Sequence, residues 1–124
     1  MKQEEKDLLL KDLCARLPYG VKIKLGDNPN IFELEYRIKF AVMYGNSDKL
    51  EDILDITNIK PYLFPLSSMN REQEREWQSL MVYDIYGIFY HTIESFDYLY
   101  KNHIDIRGLI PMGLANDATG LNIY

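Results

Sequence analysis

The fold is decided by residues 31–40, which read Ile31-Phe-Glu-Leu-Glu-Tyr-Arg-Ile-Lys-Phe40. Apolar and charged side chains alternate along this stretch, which is the period of a strand with one buried and one exposed face. Such a strand is typical of a small antiparallel sheet. The charges on its exposed face are balanced and match no recognisable catalytic or ligand-binding pattern. The stretch therefore predicts architecture and leaves the function open.

A second alternating segment, 21–25, precedes this strand, and the Gly-Asp-Asn-Pro-Asn sequence of 26–30 is a strong turn signal. The two strands are therefore predicted to form a hairpin. One register brings opposite charges together on the exposed face and apolar side chains together on the other. It pairs Lys24 with Glu33, Lys22 with Glu35, Leu25 with Phe32, Ile23 with Leu34 and Val21 with Tyr36.

Helices are predicted on both sides of the hairpin. Leucines at four-residue spacing indicate an amphipathic helix over Lys2 to Leu17, which Pro18 ends. Asn70 and Gln73 have the spacing of a capping box and begin a second helix. A third helix begins at Thr92 or Ser95 and ends near Asn102-His103.

Three other segments complete the predicted fold. The prolines of 59–66 predict an irregular crossing, and residues 50–56 fit either a short strand or a helical turn. Periodicity does not separate a helix over Val82 to His91 from an extended segment broken at Gly87. The chain is thus predicted to be one α+β domain, residues 1–124. It has an N-terminal helix, a small antiparallel sheet (a hairpin or three-strand meander) and C-terminal helices packed on that sheet.

Composition and charge argue against some classes of function. The chain has 124 residues, 47% of them apolar, and a net charge of -5, which suits one domain with its own core. Lys and Arg number 10 against 11 Asp and Glu in residues 1–65, and 4 against 8 in residues 66–124. Neither half provides the basic surface that binds nucleic acid, although the chain has ten tyrosines. Nucleic acid is therefore not expected as a partner.

The compartment is expected to be the cytoplasm. A single cysteine, Cys14, excludes an intramolecular disulfide and an all-cysteine zinc site. Charged residues on both sides of Leu8-Leu9-Leu10 rule out the apolar region of a secretory signal peptide, or a membrane span, at this place. We expect no membrane partner, no metal and no cofactor.

Two segments, Ile59 to Met69 and Phe96 to Ile110, resemble a family of small proteins of gut Bacteroidetes and their phages or mobile elements. The shared motifs are Lys-Pro-Tyr-Leu-x-Pro-x-Ser-Ser-Met and Asn-His-x-Asp-x-Arg-Gly-Leu-Ile. The likeness covers about Ile59 to Ala115, with a weaker one at residues 10–20, and this chain departs at Asn70 and Pro111. The resemblance implies an accessory protein of the bacterial cytoplasm and brings no catalytic residues to transfer.

One cluster of side chains could form a catalytic or ligand-binding site. His103, Asp105 and Arg107 alternate, so an extended backbone would project them to one side as an imidazole, a carboxylate and a guanidinium. The other interpretation gives these residues a structural role, in which His103 ends a helix while Asp105 and Arg107 pair with each other or with the backbone. We favour that interpretation, because no phosphate-binding loop, nucleophile elbow or metal-binding spacing accompanies the cluster.

Two functions from different classes follow. The favoured one is a non-enzymatic protein-interaction module, in which aromatic residues meet a protein partner or a second copy of the chain. Its predicted contact residues are Trp77, Tyr83, Tyr86 and Tyr90. The alternative is a small enzyme or ligand-binding protein with its site at His103, Asp105 and Arg107. An exposed apolar patch would favour the first, and convergence of the three side chains in a pocket would favour the second.

Overall fold

The computed structural model describes residues 1–34 and 56–124, which form a mixed α/β fold with an N-terminal helix, a small sheet and later helices. Its helices are α1 (Gln3–Arg16), α2 (Arg71–Ser79) and α3 (Ile93–Lys101). Its strands are β1 (Lys22–Leu25), β2 (Ile31–Glu33), β3 (Ile59–Pro65), β4 (Val82–Tyr83), β5 (Phe89–Tyr90), β6 (Ile104–Asp105) and β7 (Asn116–Asp117).

The predicted starts of the two later helices are confirmed. The Asn70 side chain accepts from the Gln73 N–H at 2.8 Å, and the Gln73 side chain accepts from the Asn70 N–H at 3.0 Å. Thr92 caps α3 in the same reciprocal way with Ser95. Each pair satisfies two N–H groups that a helix start otherwise leaves without partners.

The sheet is mixed, which corrects the prediction of a purely antiparallel one. Strands β2, β1, β3 and β6 are neighbours in that order, and β7 also pairs with β3. The β1–β2 and β1–β3 pairs are antiparallel, whereas β6 and β7 run parallel to β3. Strands β6 and β7 have two residues each, which is too short to show a sequence period.

The β1–β2 hairpin is present, but its predicted register was wrong by two residues. Lys22 lies opposite Glu33, and Ile23 lies opposite Phe32. A shift of two residues keeps every side chain on its own face, so alternation alone does not detect it. The loop between the strands contains residues 26–30, in which Asn28 accepts from the Asn30 N–H at 2.9 Å.

The prediction for residues 59–66 was also wrong, because 59–65 form the central strand β3. Pro61 lies opposite Ile23 at one end of the β1–β3 ladder, and Pro65 lies opposite Asp105 at one end of the β3–β6 ladder. A proline is tolerated at the end of a ladder, where its missing N–H costs least.

The main core lies between α1 and the sheet. α1 contributes Leu9 and Leu13, while Leu109 and Leu114 enter from the C-terminal segment, and all four are buried. The later helices instead pack in a smaller cluster around Leu99. Among the described residues, the helix that covers the main core is therefore the N-terminal one, whereas we predicted the C-terminal ones.

Two predictions fall largely on residues that the structure does not describe. One is the continuation of the second strand through residues 35–40, and the other is the alternative of strand or helical turn at residues 50–55. The described chain resumes with a short 3₁₀ turn, Ile56–Asn58.

Candidate functional site

Residues 82–90 form a two-stranded hairpin, which we call the arm. Val82 lies opposite Tyr90, and Tyr83 lies opposite Phe89. The intervening turn places Gly87 at a φ of 81°, a backbone conformation that favours glycine. Of the two alternatives left open by the sequence, the extended one with Gly87 at its break is therefore present.

Asp84 holds the turn of the arm together. Its Oδ1 accepts from the N–H groups of Tyr86 at 2.8 Å and Ile88 at 2.9 Å, and its Oδ2 accepts from the Tyr90 hydroxyl at 3.0 Å. These donors, the Ile88 N–H first, lower the pKa of Asp84 below its usual value. The carboxylate therefore stays charged and is satisfied within the arm.

The arm exposes its apolar side chains instead of burying them. Ile85 is 92% exposed and Tyr86 is 81% exposed, and Ile93 and Phe96 at the start of α3 continue the exposed series. We call these side chains together the arm patch. Its members on the arm are Val82, Tyr83, Ile85, Tyr86, Ile88, Phe89 and Tyr90, all about half exposed or more.

The arm patch exposes a large apolar area on each face of the hairpin. A large side chain presents about 150–250 Å² in full, so the exposed fractions leave on the order of 1,000 Å² of largely apolar surface open. This area is divided between two faces, because Val82 and Tyr90 lie on one and Tyr83 and Phe89 on the other. Each face, on the order of 500 Å², is comparable with the largest patch on a typical monomer, about 300–600 Å², and such patches are often functional.

The base of the arm is anchored between α2 and α3. The His91 ring contacts the Trp77 ring at 5.5 Å and stacks on the Phe96 ring at 4.9 Å between centroids. Thr92 donates through its hydroxyl to the Leu80 carbonyl. The arm therefore starts from a fixed point although its tip projects from the fold.

The structure brings three of the four predicted contact residues together. Tyr83, Tyr86 and Tyr90 all lie on the arm. Trp77 instead packs at its base in the cluster around Leu99, and its Nε1 has no hydrogen-bond partner among the described residues. Whether the four bind a partner stays a prediction.

Sequence reasoning missed the aliphatic members of the arm patch, because it selected aromatic residues only. A signal was present in the sequence, since residues 81–93 contain one carboxylate, Asp84, and no Lys or Arg. Exposed hairpins ordinarily carry more charge than this. A turn region with few charged residues therefore indicates a surface that another molecule covers.

The other candidate cluster, His103, Asp105 and Arg107, does not converge. Asp105 is buried, and its two carboxylate oxygens accept from the N–H groups of Leu109 and Ile110, both at 2.9 Å. Arg107 points to α1, where its Nη1 donates to Asp12. Asp105 therefore pins the following turn, and a catalytic role for the three residues stays a prediction.

His103 lies apart from the other two and packs against the last residue of the chain. Its φ of 60° is left-handed, and its ring stacks on Tyr124 at 3.7 Å between centroids and 13° between planes. Burial, with smaller effects from Arg16 and Lys22, lowers the pKa of His103 to about 4. The imidazole is therefore neutral at neutral pH.

A buried charge network that the sequence did not reveal joins α1 to the C-terminal segment. Asp12 and Arg16 are fully buried, and Arg16 Nε donates to Asp12 Oδ2 at 2.7 Å. Arg16 Nη2 also donates to the Ile104 carbonyl at 2.6 Å. Both Arg16 and Arg107 lie over the Tyr100 ring, at 5.2 Å and 5.7 Å from its centroid. This network positions residues 104–110 against α1.

Two open grooves flank α3. The first has a volume of about 530 Å³ and contains Arg107 together with two members of the arm patch. The second, of about 510 Å³, contains His103 and Tyr124 with the polar side chains of Ser68, Gln73 and Thr119. His103 and Arg107 therefore belong to different grooves.

Comparisons with known proteins add no assignment. No protein-family model, curated protein or solved structure matches this chain. The resemblance to small proteins of gut Bacteroidetes and their phages therefore stays a prediction.

Residues 1–34 and 56–124 hold no cluster of three or more His, Cys, Asp or Glu side chains that suits a metal ion. Within the same residues, none of the helices has both the length and the apolar character needed to span a membrane.

Proposed function

We propose that this chain is a non-enzymatic protein-interaction module and that the arm is its docking element. The observation that carries the proposal is the arm patch, because the largest apolar patch of a monomer is often functional and every large apolar side chain of the arm is exposed. Tyr, Phe and Ile side chains are those that fill the cores of protein interfaces. The anchored base of the arm supports the same role, since less motion is lost on binding.

The cellular setting is part of the proposal. A single cysteine supports a reducing compartment, which we take to be the bacterial cytoplasm. The resemblance to accessory proteins of Bacteroidetes and their phages supports the same setting. A net charge of -5 speaks against nucleic acid as the partner.

Site-specific photocrosslinking tests the proposal. A photoreactive phenylalanine derivative replaces Tyr86 on the arm or, as the control, the exposed Lys11 on α1. After illumination in a lysate of a gut Bacteroidetes strain, we expect a discrete protein adduct from position 86 that position 11 does not give. Identical labelling from both positions would contradict a docking role for the arm.

A small enzyme or ligand-binding protein remains the second candidate. It is favoured by the groove of about 510 Å³ in which neutral His103 lies beside polar side chains. Asp105 contributes nothing there, because both of its carboxylate oxygens are bound to backbone N–H groups. Ligand screening by nuclear magnetic resonance, with His103→Asn as the control, tests this candidate through shifts confined to residues of the groove.

A further inference from the structure

We propose that the molecule bound by the arm patch is a second copy of this chain, in a symmetric dimer. This inference rests on the proposed function, because it names the partner of the same surface.

The area of the arm patch suits a dimer of moderate affinity. The patch leaves on the order of 1,000 Å² open over both faces of the hairpin, or about 500 Å² on each face. A standard interface buries about 800 Å² on each partner, and weaker interfaces bury less. Two copies that pack one face of each arm together would therefore bury the area of a weak interface.

The charge of the arm patch suits contact with itself. In a symmetric dimer the same surface meets its own copy, so any net charge on it would face a like charge. Asp84 is the only charged residue of the arm, and its carboxylate is already bound by three donors within the arm. Two arms can therefore meet without an uncompensated charge between them, since the exposed Glu94 and Asp97 lie on α3, outside the arm.

The strands of the arm are incomplete as a sheet. Within residues 1–34 and 56–124, β4 and β5 pair only with each other, so neither outer edge has a partner strand there. An isolated two-stranded hairpin is marginally stable in water, and three or more strands with a covered face are needed for stability. Pairing with the identical edge of a second arm would give four strands, and no edge lysine or proline opposes it.

Sedimentation velocity of the purified full chain tests the proposal, over about 1 to 100 μM, the range of moderate dimer affinities. We expect the wild type to convert from monomer to dimer across this range. Ile85→Asp and Tyr86→Asp should each weaken dimerisation at least about tenfold, because they place charges in an apolar interface. Both side chains are mostly exposed, so neither change should disturb folding.

Leu121→Asp is the control, since Leu121 is an aliphatic residue outside the arm patch that is about half exposed. It should dimerise as the wild type does. A wild type that stays monomeric, or a dimer that persists in both arm variants, overturns the inference. A monomer that binds phosphatidylcholine vesicles through Ile85 also overturns it and makes the patch a membrane surface.

The crosslinking experiment separates this inference from the proposed function. A monomeric wild type whose position 86 crosslinks to a different protein refutes the second copy and leaves the interaction module standing. Adducts between light and isotopically heavy copies of the chain, formed only from position 86, support both.

Discussion

Arg107 donates through Nη1 to Oδ1 of Asp12 at 2.9 Å, a contact between residues 95 positions apart. Arg16, one helical turn after Asp12, binds the same carboxylate at 2.7 Å. One buried acid thus serves two guanidinium groups and ties α1 to the segment that follows α3. The attachment of α1 to this segment therefore depends on Asp12.

Asp12→Asn should lower the free energy of unfolding by about 3–5 kcal/mol, the cost of removing one partner from a buried ion pair. The change leaves Arg16 buried without a counter-charge. Urea denaturation measures it, with Asp7→Asn on the exposed face of α1 as the control. A loss equal to that of the control would contradict the role of Asp12.

Arg107→Met gives a second measurement if Asp12→Asn does not fold. Arg107 is 19% exposed and Arg16 keeps Asp12 paired, so the loss should be smaller, about 1–2 kcal/mol. A loss of about 3–5 kcal/mol would instead show that Arg107, and not Arg16, is the main partner of Asp12.

His103 predicts a pH dependence of stability. Its pKa is about 4 in the folded chain and 6.5 in the unfolded one, so the unfolded chain binds more protons between these values. The free energy of unfolding should therefore fall as the pH decreases from about 6.5 to about 4. We expect a loss of about 1–2 kcal/mol, less than the full shift implies, because part of the ring meets solvent.

Urea denaturation of the wild type and His103→Asn across this pH range isolates the effect. Asparagine tolerates the left-handed backbone at this position and carries no titrating group. The difference in stability between the two proteins should change with pH. A difference that does not change with pH would contradict the prediction.

Tyr124 closes the gap between two strands of the sheet. Its hydroxyl accepts from the Lys22 N–H and donates to the Tyr62 carbonyl, both at 2.7 Å. Tyr124→Phe removes both hydrogen bonds and keeps the aromatic stacking, so it should cost about 1 kcal/mol. Thermal denaturation checks this, with the exposed Tyr86→Phe as the control, and equal stabilities of the two variants would refute it.

Local sequence signals predicted the features that depend on neighbouring residues. The caps at Asn70 and Thr92 are set by side chains three positions away, so their sequence pattern was sufficient. The in-or-out placement of β1 was likewise predicted, because alternation sets the face of each side chain.

Features that depend on distant residues were not predictable in this way. The hairpin register depends on the geometry of the loop. The central position of β3 depends on which strands pair with it beside its prolines. The Asp12–Arg107 contact joins residues with no shared pattern. For the candidate site, sequence reasoning selected three arm tyrosines, but their common exposure depends on the arm projecting from the fold.

The order of the arm itself should depend on Asp84, whose carboxylate accepts from the Tyr86 and Ile88 N–H groups and the Tyr90 hydroxyl. Asp84→Ala removes these bonds at an exposed hairpin, where opening is local and separate from global unfolding. Hydrogen exchange in residues 84–90 of monomeric protein should accelerate about tenfold or more while the urea midpoint changes little. Asp27→Ala, in the β1–β2 loop, should leave this exchange unchanged. Unchanged exchange in Asp84→Ala would mean that the arm is ordered by its apolar contacts and not by this carboxylate.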